Sequence, residues 1–147
     1  MSARSRVARG AVAGAVAACA WSALEPLAAR ALRTGGFSDV RLLGRMVPGA
    51  GDRWPVAGAA VHAANGAAFG AAFGLAGASG PRAGLAWAGL ETVGTWPGMA
   101  LMDRVHPDRR SGHWPPLATN PRVFVQEALM HALFGLVLGA LTLERRP

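Results

Sequence analysis

What most constrains this chain is the absence of formal charge from stretches as long as a bilayer core is thick. A helix that crosses the hydrocarbon needs roughly 20 consecutive apolar residues, and four stretches qualify. They cover about 7–24, 55–78, 83–102 and 123–143. The first carries only Arg9 at its start, and its many alanines insert weakly. The second has no formal charge, and His62 and Asn65 are its strongly polar side chains. The third holds Glu91 near its middle and Pro97 near its end. The fourth is the most hydrophobic and contains Glu127 and His131.

A soluble helix of such length would carry charges every three or four residues along one face, and none of the four does. Only 16% of the chain is charged, against about 25% in soluble domains. The predicted fold is therefore all-α: one integral membrane domain over 1–147, a four-span bundle running up-down-up-down. Long loops are expected at 25–54 and 103–122, and a tight turn at Gly80-Pro81-Arg82. The 15 basic residues are all arginine and outweigh the acids to give a net charge of +7. They sit between apolar runs rather than interleaving with aromatics, which argues for a lipid bilayer as partner and against nucleic acid. Arginine counts near the helix ends leave the orientation undecided.

Cys19 is the one cysteine, so no internal disulfide, CxxC site or zinc cluster of cysteines can form. Val16-Ala17-Ala18-Cys19 resembles a bacterial lipobox, although three further spans make a lipid anchor redundant. Trp54, Trp96 and Trp114 are expected at one membrane face as headgroup anchors. His106 and His113, around Asp108, are read as part of a solvated loop rather than a metal site.

Two segments share the pattern H-A-x-x-G-x-x-x-G, His62 to Gly70 and His131 to Gly139, offset by 69 residues. Pro26 and Pro97 add a fainter echo, each near a span's end. This suggests two related helical hairpins in parallel orientation. The glycines recur at intervals of four: Gly10 and Gly14; Gly66, Gly70 and Gly74; Gly135 and Gly139. In lipid, small residues let helix backbones touch, so these positions are assigned to helix packing. Packing within the chain is favoured over a dimer face.

An ionisable side chain inside a bilayer costs roughly 2.5–3.5 kcal/mol on insertion scales, so each one asks for a reason. With alternating spans, Glu25, His62, Glu91, Glu127 and His131 all fall between the long-loop surface and the midplane. Glu127 and His131 are four apart, hence on one helical face. With Asn65 they are candidates for a ligand site or proton relay. Imidazoles at matching depth can also ligate haem iron or a metal ion, which makes His62 and His131 the candidate ligands. Interhelical hydrogen bonding is the structural alternative, and no cofactor is required. No catalytic motif stands in a usable context, so no catalytic residue is assigned.

Ala13-Gly14 with Glu25-Pro26-Leu27, the His62-to-Gly70 segment, and Glu127 through His131 with the closing Arg145-Arg146 resemble the YagU-like family of small bacterial inner-membrane proteins. This chain is shorter and has a trimmed N-terminal loop. The resemblance implies a multi-pass protein of a bacterial cytoplasmic membrane, linked at most to acid tolerance, and it carries over no catalytic residue. The expected role is non-enzymatic: a small transport, permeability or complex-forming module. The alternatives are a haem- or metal-bearing redox component and an accessory subunit of a homo-oligomer or larger membrane complex.

Overall fold

The computed structural model describes residues 2–143, which leaves Arg145 and Arg146 outside the described residues. The described residues form seven helices and no strand: α1 (Ala3–Leu32), α2 (Asp39–Met46), α3 (Trp54–Leu75), α4 (Pro81–Thr95), α5 (Gly98–Val105), α6 (Pro107–Arg110) and α7 (Pro121–Thr142). A single 3-10 turn, Gly51–Arg53, leads into α3. Three helical segments are long and apolar enough to cross a membrane: α1, the 3-10 turn with α3, and α7.

The third stretch differs from its expectation. α4 stops at Thr95, and the chain restarts as α5 at Gly98. Pro97 lacks the N–H that would continue the ladder, and its ring crowds the preceding turn. Pro26 behaves differently. It lies inside α1, which runs on to Leu32 and ends at Arg33 in the left-handed conformation, φ 54°. Glu25 is thus an intrahelical residue rather than part of a loop. The supposed long loops are also built structure, since α2 occupies one and α6 the other.

Small residues decide how the helices meet. α3 runs antiparallel to α1, with Gly14 facing Gly66 and Gly10 facing Gly70 backbone to backbone. A Cβ on Gly66 would stand 2.6 Å from the Gly14 oxygen. α7 meets α4 in the same way, with Gly135 on Gly84 and Gly139 on Gly80 and Pro81. Every glycine assigned to helix packing from the sequence lies in one of these seams within the chain, including Gly74 against the Arg6 carbonyl. A third seam, Gly44 on Trp54 and Gly58 on Val40, folds α2 back along α3. α7 also lies along α1. There Arg9 donates from Nε and Nη2 to the carbonyls of Leu141 and Leu143, 3.0 Å each. A guanidinium at a helix C-terminus satisfies orphan carbonyls and complements the dipole, which accounts for a charge at the start of an apolar run.

The interior is filled by Ala13, Ala17, Ala18, Trp21, Phe73, Ala88, Met130, Phe134 and Leu138. Large aliphatics point outward instead: Val12, Leu27, Val56, Leu75, Leu90, Val93 and Leu129 are each more than half exposed. Small residues inside and branched apolar residues outside is the distribution that suits lipid.

A second cluster closes one end: Phe37, Leu42, Trp114, Leu117 and Val123, with Trp96, Met99 and Met102 against it. Trp114 is thus core and not a headgroup anchor. Its ring stacks on His106 at 4.7 Å and 12°. His106 is fully buried, and its Nε2 meets the Leu42 carbonyl at 3.2 Å, so it does not belong to a solvated loop. His113 is exposed. Arg41 binds Asp108 through two 2.9 Å hydrogen bonds and ties α2 to α6. Burial opposes the charge on Asp108, but the Arg41 hydrogen bonds and charge outweigh it and hold the carboxyl below its usual range. Burial pushes the His106 imidazole below its usual value, against the nearby Asp108 charge.

Candidate functional site

Under this end cap lies a cavity of ≈ 240 Å³. Its polar lining residues are Asp39 from α2, His62 and Asn65 from α3, Glu91 and Thr95 from α4, and Glu127 and His131 from α7. Five residues singled out in the sequence (His62, Asn65, Glu91, Glu127 and His131) therefore line one space. Asn65 is exposed and sits at its rim. The break between α4 and α5 borders the same space through Thr95 and Gly98. Non-helical backbone within an apolar bundle is tolerated where it lines such a cavity.

Trp21 organises the two histidines. Its indole meets the His62 ring edge-on at 5.3 Å and the His131 ring at 4.6 Å. Each imidazole is held in one tautomer by its other nitrogen. The Ser22 hydroxyl spends its single hydrogen on the Ala18 carbonyl, 3.0 Å away, so it accepts from His62 Nδ1 at 2.9 Å. His131 Nδ1 lies 2.8 Å from the Glu127 carbonyl, which can only accept. In both rings, Nδ1 thus carries the hydrogen and Nε2 the lone pair. His131 Nε2 stands 4.0 Å from Glu91 Oε2. Thr95 Oγ1 donates away from the cavity, to the Glu91 carbonyl.

Glu25 lies behind this wall and is also buried. Its carboxylate accepts from Trp21 Nε1 (3.2 Å), Ser38 Oγ (2.7 Å) and the Asp39 N–H (2.7 Å). Ser38 caps α2, its hydroxyl accepting from the Arg41 N–H, and so aims the start of that helix at α1. Asp39 was missed in the sequence because it lies outside every apolar run. The available signal was Ser38-Asp39 opening a short amphipathic helix, a common start pattern that says nothing of tertiary partners. Trp21 and Ser22 were missed because an indole and a hydroxyl in an apolar helix look like packing.

A haem between His62 and His131 does not fit this arrangement. The indole of Trp21 touches both rings, so a porphyrin would have to displace it. The cavity also falls below the roughly 300–1,000 Å³ usual for drug-sized ligands. Oxygen and imidazole donors around a cavity this small suit an ion better than a macrocycle.

No family model, curated protein or solved structure matches the chain.

Proposed function

We propose that this is a multi-pass membrane protein of four spanning segments, whose buried cavity takes up a small inorganic cation and passes it across or within the bilayer. The fourth segment is α4 with α5, a broken span whose Leu90 and Val93 face outward like the apolar residues of the long helices. The two antiparallel pairs, α1 with α3 and α4 with α7, are read as one repeated hairpin. Gly14 on Gly66 and Gly84 on Gly135 meet at equivalent registers, and His62 and His131 each stand one turn before the glycine of α3 or α7. A site formed where two such repeats meet, beside a broken helix, is a common transporter design. The bacterial cytoplasmic membrane suggested by the YagU-like resemblance is the location this reading adopts.

One observation carries the reading: apart from Asn65 and Thr95, the polar side chains lining the cavity are carboxyl groups and imidazoles whose free ring nitrogen is an acceptor. Two imidazoles held as lone-pair Nε2 tautomers, and the carboxylates of Asp39, Glu91 and Glu127, suit a positively charged occupant and oppose an anion. The test is flux. In liposomes holding the purified protein, Tl⁺ and Mn²⁺ should quench entrapped indicator dyes faster than in empty liposomes. Glu91→Gln and His131→Gln should slow both. Rates equal to empty liposomes for both ions would overturn the reading.

A further inference from the structure

Glu25 of α1, Asp39 of α2 and Glu127 of α7 each offer an oxygen, and these oxygens all lie within 4.8 Å of one another. Their residues are 1%, 8% and 3% exposed. The nearby arginines are committed elsewhere: Arg41 and Arg45 pair with Asp108, and Arg109 with Asp103. Among the described residues no cationic side chain is paired with any of the three. The hydrogen bonds they make, from Trp21, Ser38 and the Asp39 N–H to Glu25 and between the Asp39 and Glu127 carboxyls, do not neutralise three buried negative charges.

A second, independent observation points to a ligand. Glu127 Oε1 is fully buried and has no hydrogen-bond partner among the described residues, and Glu127 lines the cavity together with Asp39. Buried carboxylate oxygens are seldom left without partners. We propose that Glu25, Asp39 and Glu127 bind one hard divalent cation, of the Mg²⁺, Mn²⁺ or Ca²⁺ class, with water from the cavity completing its coordination. The proposal deepens the cation reading and rests on it for the route by which the ion arrives.

The spacing fits. An ion that holds oxygens at about 2.1–2.6 Å places ligands on opposite sides about 4.2–5.2 Å apart and neighbouring ligands closer. An all-oxygen donor set selects hard ions over those that prefer sulfur or nitrogen. Glu25 is oriented by its three donors, Trp21, Ser38 and the Asp39 N–H, as metal-bound carboxylates are commonly held by outer partners. Asp39 and Glu127 also line the cavity, and Glu127 Oε1 is the oxygen left without a partner. The three ligands come from three helices, so the ion would join α1, α2 and α7.

The experiment is a Mn²⁺ titration of the full chain in detergent, stripped with EDTA and followed by electron paramagnetic resonance, with Ca²⁺ and Mg²⁺ as competitors. The expected result is one saturable Mn²⁺ per chain, displaced by a competitor. Glu127→Gln and Asp39→Asn should each weaken it roughly tenfold or more, as loss of a ligand or its support commonly does. Asp52→Asn, at an exposed carboxylate on the 3-10 turn, should change nothing. Circular dichroism checks that each variant keeps its helices. If both cavity variants unfold, the wild-type titration decides alone. Absence of saturable binding up to about 1 mM, where only weak millimolar association would remain, overturns the site. So does wild-type affinity in folded Glu127→Gln. If Mn²⁺ fails to bind while Tl⁺ flux persists, the triad falls and the cavity reading stands. If Mn²⁺ binds but no ion crosses, the flux reading falls and the site stands.

Discussion

Replacing Gly66 with alanine adds one methyl group where the structure has no room for it. A Cβ there would lie 2.6 Å from the Gly14 oxygen and 2.7 Å from the Ala18 Cβ. Both neighbours are fixed to the α1 backbone, so neither can swing away. Ordinary contact begins at 3.4 Å, so α1 and α3 must part by about 0.8 Å, which loosens the whole seam and overpacks it at a cost of about 1–3 kcal/mol. That is a factor of roughly 5 to 150 in the unfolding equilibrium. Gly89→Ala supplies the matched control, since a Cβ there meets nothing within 4 Å. Within α4 it should stabilise by up to about 1 kcal/mol through helix propensity. The assay is reversible unfolding of the purified protein in mixed micelles by a graded denaturing detergent, followed by circular dichroism. The variants should move in opposite directions. Equal stability of Gly66→Ala and wild type would refute the argument that this seam is held by backbone contact within one chain.

Arg9→Ala removes the two hydrogen bonds to the C-terminal carbonyls of α7. It should cost about 0.3–2 kcal/mol in the same unfolding assay, and an unchanged midpoint would count against the cap. Asp108→Asn breaks the bidentate pair with Arg41 and should cost about 1.5–3 kcal/mol, with amide exchange rising first in α2 and α6. Because Asp108 is held below its ordinary value in the fold, its contribution is complete above the unfolded value near about 4. That contribution is lost only as pH falls through the lower folded value. His106 follows the rule for a base depressed by folding. The unfolded chain takes up the proton first, so stability drops as pH falls from about 6.5 toward the folded value. His106→Gln should flatten that part of the profile. A slope unchanged by the substitution would remove His106 as its source.

Much of this was legible in the sequence, for reasons residue by residue. Long uncharged runs specify long apolar helices, because an apolar run of that length has few other ways to satisfy its backbone in lipid. Glycines at intervals of four announce close helix contact, and they lie at the contacts of α1 with α3 and of α4 with α7. Glu127 and His131 share a face by helical geometry alone. Other features were beyond reach of pattern. Pro26 and Pro97 look alike in sequence, yet one sits within a continuing helix and the other at a break. Local preference does not say which neighbours hold a helix together across a proline. Trp114 and His106 look like loop residues until Phe37, Leu42 and Val123 are packed around them.

The sequence by itself determined an all-helical chain with long apolar helices, the small-residue faces and the placing of Glu127 and His131 on one helical face. These follow from composition and period, which act locally along the chain. Only the tertiary structure decided that Asp39 joins Glu25 and Glu127, that Trp21 stands between the two histidines, and that Ser22 fixes a tautomer. Each of those depends on the rotation and register of one helix against another. That geometry is set by glycine seams whose partners lie up to 68 residues apart in the chain, as Gly74 and Arg6 do.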